Sequence, residues 1–216
     1  KRVLKLIRSY LTAGIMEGGI VSTPSEGTPQ GGPLSPILSN IVLDELDKEL
    51  EARGLSFVRY ADDQNIYVKS IRAGERVMES VSKFITNRLK LKVNRAKSAV
   101  DRPQNRKFLG FTFTDGKKPN RRKVAPASLE RFKVKIRKIT KRNTGISIEM
   151  MVERLSLYLR GWKGYFGFCE AAYVFEELDG WIRRRLRCFI WKQWKTYRRR
   201  KQALIQLGID PADAHC

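Results

Sequence analysis

The most constraining feature of the sequence is a pair of adjacent aspartates, Asp62 and Asp63, which stand between strand-like runs at residues 57–61 and 64–69. Two short strands joined this closely form an antiparallel hairpin, so both carboxylates are expected at its tip. Carboxylate oxygens placed there can bind a divalent cation. An acidic dipeptide also suits a solvated turn. The functional interpretation of the pair therefore depends on other features of the chain.

The charge balance indicates a polyanionic partner. The chain has 44 Lys and Arg against 22 Asp and Glu, a formal net charge of +22. An excess of this size is typical of proteins that neutralise phosphates, so nucleic acid is the expected partner, and an anionic lipid surface is the alternative. No apolar run approaches the roughly 18 residues of a membrane span, and we expect no membrane-spanning segment.

Cysteine usage indicates a reducing compartment. Cys169, Cys188 and Cys216 are odd in number and lack Cys-x-x-Cys spacing, which argues against both a disulfide framework and a zinc site. His215 stands beside the end of the sequence and is interpreted as a tail residue. We expect a cytoplasmic protein.

The hydrophobic pattern of the first half predicts an α+β fold. An opening helix and a short hairpin near residues 20–21 precede a helix over 35–54, with Ser35 as N-cap and Gly54 as its end. The hairpin at 57–69, an amphipathic helix over 77–89 and strands near 91–93, 99–100 and 107–113 follow. This order predicts an antiparallel sheet covered by helices on one face.

The helix over 35–54 is predicted to bury one face. Its apolar stripe consists of Leu38, Ile41, Val42, Leu46 and Leu50. Its solvent side is predicted to carry Asp44, Glu45, Asp47, Lys48 and Glu49.

The second half is predicted to be all-helical, after a basic turn-rich linker at 115–123. Ser128 and Ser147 are predicted to cap two helices. A last helix over 181–201 carries many Lys and Arg without an acid, and its apolar stripe places Trp194 and Tyr197 in the core. Two domains are expected, at residues 1–118 and 119–216.

Five motifs, in order, resemble the reverse transcriptases encoded by bacterial group II introns. They are a glycine-rich loop entering a helix at 27–40, Tyr-Ala-Asp-Asp at 60–63, and segments at 91–98, 108–111 and 158–187. The resemblance implies an incomplete polymerase palm, without its fingers and first catalytic motif, followed by the maturase-specific helical thumb, or domain X. Without the resemblance, the glycine-rich loop would suit an ordinary connector.

The resemblance also implies a two-metal site. Two Mg²⁺ ions stabilise the attacking and leaving oxygens of nucleotidyl transfer, and Asp62 would be a direct ligand with Asp63 assisting it. The family needs another metal-binding aspartate on an earlier strand, and neither Glu17 nor Glu26 stands in such a motif. We therefore expect the chain alone to be inactive and a longer parent protein to be active.

Further roles follow from the matching positions. Template and substrate contacts fall on Pro29, Gln30, Gly31, Tyr60 and Ala61. Lys97 would act near the triphosphate, or be one more surface lysine. Leu109 and Gly110 would form the primer grip, or a buried strand edge with a bulge glycine. RNA-binding residues would be Arg183, Arg184, Arg185, Arg187, Lys192, Arg198, Arg199 and Arg200.

The predicted function is RNA-directed DNA polymerase of a group II intron, which also promotes splicing in the bacterial cytoplasm. The expected partners are intron RNA, template–primer and dNTP, with Mg²⁺ as cofactor. The alternative is a non-catalytic RNA-binding maturase module. A generic basic nucleic-acid protein would not explain the ordered motifs. The sequence does not predict the oligomeric state, and a homodimer is one of the options.

Overall fold

The chain divides into two compact α+β units. A computed structural model describes residues 1–17, 20–22, 32, 34–115 and 119–214. Contacts group Lys1–Asp101 into the first unit and Arg102–Cys216 into the second. The mixed fold agrees with the predicted palm followed by a helical region, while the predicted domain boundary at residue 118 stays a prediction.

The first unit contains three helices and two hairpins in its described part. In chain order these are α1 Arg2–Thr12, β1 Ile15–Glu17, β2 Ile20–Ser22, α2 Ser35–Ala52, β3 Ser56–Tyr60, β4 Asp63–Tyr67 and α3 Ile71–Asn87. Gly54 follows α2 with φ 65, the left-handed conformation expected of a residue that ends a helix. No strand forms at 91–93 or 99–100, where one was predicted.

A small core joins α2, α3 and the second hairpin. Leu46, Leu50 and Val81 are buried, and Phe57 and Ile66 of the hairpin pack against them. The predicted stripe of α2 is wrong at its N-terminal half, because Ile41 is 62% exposed. The packed stripe shifts to residues 43, 46 and 50.

The second unit combines one two-stranded sheet with four helices in its described part. The elements are a 3₁₀ turn at Pro103–Asn105, β5 Phe111–Phe113, β6 Arg122–Val124, α4 Pro126–Ile139, α5 Ile148–Phe166, α6 Tyr173–Gln193 and α7 Tyr197–Gln206. Ser147 caps α5 as predicted, with its Oγ accepting from the amide of Met150. Ser128 does not cap α4, which begins at Pro126, a residue that suits the first helical position.

An aromatic core holds this unit together. Phe132 and Ile136 of α4 and Leu155 of α5 are buried. The ring centres of Phe132 and Trp162 lie 4.3 Å apart and those of Trp162 and Phe166 lie 4.9 Å apart, with the rings of each pair tilted. Because aromatic side chains bury large areas, they dominate the stability of such a core.

The basic C-terminal region forms two helices, whereas the sequence predicted one. Helix α6 ends at Gln193, and Thr196 caps α7 by accepting a hydrogen bond from the amide of Arg199. The break changes the helical phase, so Tyr197 is 53% exposed and not in the core. Within the described residues, no helix is long and apolar enough to cross a membrane.

Candidate active site and nucleic-acid interface

The hairpin of β3 and β4 presents the two aspartates at its tip, as predicted. Tyr60 pairs with Asp63, which leaves a two-residue loop of Ala61 and Asp62. Ala61 has φ 53, in the left-handed region that tight hairpin turns use. Both aspartates are exposed.

The two faces of this hairpin differ. Phe57 belongs to the face that packs on the core, and Arg59 shares that face because side chains alternate along a strand. Tyr60 is 63% exposed on the opposite face. Directly paired residues lie on the same face, so Asp63 stands beside Tyr60 on the open surface.

Arg59 ties the loop to helix α2. Its Nε donates to Oδ1 of Asp47 at 2.8 Å and to Oδ2 at 3.0 Å. Its Nη1 donates to Oδ1 of Asn40 at 2.9 Å and to the carbonyl oxygen of Ala61 at 2.9 Å. One guanidinium therefore connects two turns of α2 with the peptide that precedes Asp62.

This contact corrects the interpretation of Asp47 as a solvated residue. The side chains of Arg59 and Asp47 are only 14% and 22% exposed. Hydrogen bonding to Asp47 raises the pKa of Arg59 above its ordinary value, and burial opposes that rise. Arg59 therefore keeps its charge, and fork-like Arg–carboxylate pairing fixes orientation as well as distance.

The aspartate pair has the donor type that Mg²⁺ prefers, but it is only part of a ligand set. Neither Asp62 nor Asp63 forms an ion pair with a basic residue in the described part of the chain. Over residues 1–17, 20–22, 32, 34–115 and 119–214, no group of three or more His, Cys, Asp or Glu could hold a metal. The pair fits as two ligands of a larger site.

The remaining predicted palm residues are Lys97 and three residues of the glycine-rich loop. Lys97 is exposed in a turn, where its amide donates to the carbonyl oxygen of Asn94 at 3.2 Å. Pro29, Gln30 and Gly31 lie outside the described residues. The roles assigned to these positions stay predictions.

Leu109 and Gly110 form the two-residue turn of a tight hairpin rather than a bulge in a strand. Phe108 and Phe111 exchange backbone hydrogen bonds at 2.9 Å in both directions. Leu109 has φ 51 and Gly110 has φ 81. Two positive φ values are the signature of the turn that matches the natural twist of a hairpin.

The helices of the second unit hold this turn. The hydroxyl of Tyr165 donates to the carbonyl oxygen of Leu109 at 3.0 Å, and the amide of Ala125 donates to that of Gly110 at 2.9 Å. A Cβ on Gly110 would lie 3.1 Å from Oγ of Ser128 and 3.3 Å from the Phe166 ring. The turn is therefore rigidly mounted, as a surface that positions another molecule requires.

The basic residues of α6 separate into two groups. Arg183 pairs with Asp179 at 2.7 Å on the exposed surface. Arg185 points inward and donates to Oγ1 of the buried Thr140 at 2.6 Å, which ties α6 to the end of α4. Burial lowers the pKa of Arg185 below its ordinary value, and the nearby charges of Arg137 and Arg142 lower it further. Arg185 is therefore a structural contact in this unit.

The other group faces outward. Arg184 and Arg187 are exposed and pair with no acid among the described residues. Lys192 donates to Oδ1 of Asn143 at 2.7 Å, and Arg198 and Arg199 are exposed on α7. The guanidinium of Arg200 lies 4.8 Å from the centre of the Trp191 ring. These cations can meet phosphate groups without first breaking an ion pair.

Comparisons with known families agree with this arrangement. Residues 1–113 match the family described as Reverse transcriptase (RNA-dependent DNA polymerase), and residues 129–206 match Group II intron, maturase-specific domain. The chain belongs to the group II intron reverse transcriptases and maturases. The family recognised from the motifs is therefore confirmed, and so is the order of a palm followed by a maturase region.

Curated relatives cover parts of the chain. Protein YkfC of Escherichia coli (strain K12) is 30% identical over 146 residues, which covers 52% of this chain and 37% of the relative. Group II intron-encoded protein LtrA of Lactococcus lactis subsp. cremoris is 36% identical over 89 residues, which covers 41% of this chain and 14% of the relative. Retron Ec86 reverse transcriptase of Escherichia coli is 30% identical over 94 residues, which covers 41% of this chain and 29% of the relative. The chain thus spans 14% to 37% of the length of these relatives.

Sequence reasoning missed the contact of Arg59 with Asp47 and Asn40. A signal was present, because Asn40, Leu43, Asp47 and Leu50 recur at spacings of three and four, which places two polar residues on a packing stripe. The alternation of β3 likewise places Arg59 on the same face as Phe57. Because a buried guanidinium charge needs a partner, an arginine on the packed face of β3 indicates an acid on the helix that covers it.

Proposed function

We propose that the chain supplies the metal-binding hairpin and the RNA-binding thumb of an RNA-directed DNA polymerase encoded by a group II intron. The observation that carries this proposal is the exposed Asp62–Asp63 tip, whose loop is fixed to α2 through Arg59. Two adjacent carboxylates on a rigid turn are the part of a two-metal site that a hairpin can provide.

Asp62 is the proposed direct ligand of Mg²⁺, and Asp63 its neighbour on the open face beside Tyr60. Mg²⁺, when bound, supplies Lewis-acid stabilisation of the oxygens that attack and leave during nucleotidyl transfer. The chain's own contribution is to hold the carboxylates apart from the basic side chains of the described residues, so that their charge is available to a cation. A further ligand must come from outside the described residues, and the chain alone is expected not to polymerise.

The accompanying palm roles belong to the same proposal. Tyr60 and Ala61, with Pro29, Gln30 and Gly31, would face the template and the incoming dNTP, and Lys97 would lie near its triphosphate. Leu109 and Gly110 would press on the primer backbone, and the mounting of their turn by Tyr165 and Ala125 supports that role. The proposed setting is the bacterial cytoplasm.

The second unit is proposed to grip intron RNA during splicing and reverse transcription. Its unpaired cations Arg184 and Arg187, with exposed Lys192, Arg198 and Arg199, supply the charge for phosphate contacts. Because counterion release drives such binding, affinity for structured RNA should fall steeply as salt rises. Relatives whose names refer to group II introns support intron RNA as the partner.

Primer extension on an RNA template in Mg²⁺ tests the polymerase role. The 216-residue chain is expected to give no product. A longer protein, in which the family's fingers and first catalytic motif precede it, is expected to extend the primer, and Asp62→Ala should abolish that extension. Asp44→Ala, which changes an exposed acid of α2, is the matched control and should keep it.

Two results would contradict the proposal at different points. If the longer protein still extends the primer after Asp62→Ala, the hairpin takes no part in catalysis. Extension by the 216-residue chain, abolished by Asp62→Ala, would instead show that the described residues and their neighbours already form a complete site.

A non-catalytic RNA-binding maturase module is the second candidate. The observation that favours it is that the exposed Arg184 and Arg187 of α6 pair with no described acid, in a chain whose described carboxylates form no group of three. This candidate predicts salt-dependent RNA binding with no extension even in the longer protein. Primer extension therefore separates the two candidates, and RNA binding is common to both.

A further inference from the structure

A shallow pocket lies on the outer face of α6. Its volume is about 270 Å³, and it is lined by Arg142, Arg184, Arg187, Cys188 and Trp191. Four of these residues recur at spacings of three, one and three, which places them on one face of the helix. Arg142 comes from the segment that joins α4 to α5 and forms the facing wall.

The wall segment is held against the helix by two side chains of α6. Nζ of Lys192 donates to Oδ1 of Asn143 at 2.7 Å, and Nε2 of Gln193 donates to the carbonyl oxygen of Ile146 at 3.2 Å. Both contacts lie next to the pocket in sequence. The position of Arg142 beside α6 is therefore set by the fold, which favours a preformed site.

No acid in the described part of the chain neutralises the positive charge of the pocket. Arg142, Arg184 and Arg187 form no ion pair with an acid among the described residues, in contrast to Arg183, which pairs with Asp179. Three guanidinium groups around one depression attract anions, and their planar donors match phosphate oxygens.

The pocket also has an aromatic wall. Trp191 is 38% exposed, and the guanidinium of Arg200 on α7 lies 4.8 Å from its ring centre. Nε of Arg200 is buried and donates to no hydrogen-bond partner among the described residues, so stacking on the ring is the contact that holds this side chain. The indole is thereby fixed while part of its surface stays open to the pocket.

We infer that this pocket binds one unpaired nucleotide of the RNA held by the thumb. The base of this nucleotide lies against Trp191. The backbone phosphates beside the nucleotide contact Arg184, Arg187 and Arg142. A charged surface alone would suit any duplex backbone, but an open indole beside the arginines favours a base released from a helix. The inference rests on the proposed RNA-binding function and adds a preference for single-stranded loops.

Fluorescence anisotropy of the 216-residue chain with two labelled RNAs tests this inference. One RNA is a stem with an all-adenosine loop, and the other has the same stem and an abasic loop, so both carry the same phosphates. Trp191→Ala should weaken binding of the adenosine loop by about 5- to 150-fold, the range for one stacked base, and leave the abasic RNA unchanged. Trp191→Phe keeps a ring and should retain most of the affinity.

The arginines are tested in the same titrations. Arg184→Gln and Arg187→Gln should each lower the slope of log affinity against log salt by about 0.7 to 0.9, the value for one lost phosphate contact. Lys83→Gln, which changes an exposed cation of α3 that pairs with Glu79, is the control and should leave that slope nearly unchanged.

The outcomes separate the pocket from the function on which it rests. If the unmodified chain binds neither RNA in a salt-dependent way, both the proposed function and the pocket are overturned. If it binds both RNAs equally well, the base preference is wrong whatever the variants do. Equal losses on both RNAs in Trp191→Ala would also overturn the pocket and leave the RNA-binding function standing.

Discussion

Arg59 of the aspartate hairpin and Asp47 of α2 form a two-oxygen contact, with Nε at 2.8 Å from Oδ1 and 3.0 Å from Oδ2. The same guanidinium reaches the carbonyl oxygen of Ala61, the residue before Asp62. A residue of α2 thus helps to fix the position of the aspartate loop.

Removing the acid should therefore destabilise the first unit. Asp47→Asn leaves Arg59 largely buried without its counter-ion, and we expect the free energy of unfolding to fall by about 1–3 kcal/mol. Urea unfolding followed by circular dichroism measures the change. Asp44→Asn, whose exposed partner is Lys48, is the matched control and should leave the midpoint unchanged. Equal effects of the two substitutions would show that the buried contact carries no special weight.

The turn at Leu109 and Gly110 gives a second prediction. Gly110→Ala should lower the free energy of unfolding by about 1–3 kcal/mol, because φ is 81 and the new Cβ would lie 3.1 Å from Oγ of Ser128. Gly161→Ala, in the middle of α5 with no atom within 4 Å of the new Cβ, should instead add about 0.5–1 kcal/mol. Thermal melts of both variants measure these changes. A Gly110→Ala protein as stable as the unmodified chain would argue against a rigidly held turn at Leu109 and Gly110.

Arg184 and Arg185 are adjacent in sequence but should behave differently. Arg185→Gln should lower the stability of the second unit, because it removes the donor to Thr140 that joins α6 to α4. Arg184→Gln should leave thermal stability unchanged and weaken RNA binding. Parallel melts and RNA titrations give both readouts. The reverse pattern would mean that the inward and outward assignments are exchanged.

Glu170 predicts a pH dependence of stability in the second unit. Its carboxylate accepts from the amide of Arg122 at 2.8 Å, and this bond, followed by that from the side chain of Arg122, lowers the pKa of Glu170 below its usual 4.5. A lowered pKa means that the contribution to stability is present above the unfolded value and is lost as pH falls through the folded value.

The measurement for Glu170 compares the unmodified chain with Glu170→Gln over a series of pH values. The stability difference should be full at neutral pH, should begin to shrink near 4.5, and should vanish below the folded pKa. A difference that stays constant into strong acid would mean that the carboxylate charge does not contribute to the contact.

Local patterns predicted much of this structure because each depends on neighbours in sequence. Alternation around the aspartates predicted β3 and β4, Gly54 marked the end of α2, and Ser147 marked the start of α5. These features need no knowledge of distant residues. The family itself was also recognisable, because its motifs are short and ordered.

The features that sequence did not predict depend on contacts between elements. Asp47 looked solvated because its helix neighbours are charged, and only the arrival of Arg59 from β3 makes it a buried partner. Arg185 looked like its neighbours until the end of α4 packed beside it. The break before α7 had a local signal in Thr196, but a continuous apolar stripe concealed it.

The most direct test of the central claim is whether the aspartate tip binds a divalent cation. Mn²⁺, a paramagnetic substitute for Mg²⁺, should broaden the amide NMR signals of Asp62, Asp63 and their hairpin neighbours in the 216-residue chain before those of other acids. The double variant Asp62→Ala, Asp63→Ala should lose that broadening, and Asp44→Ala should keep it. Broadening that spreads evenly over exposed acids and survives the double variant would contradict the assignment of this hairpin as a metal site.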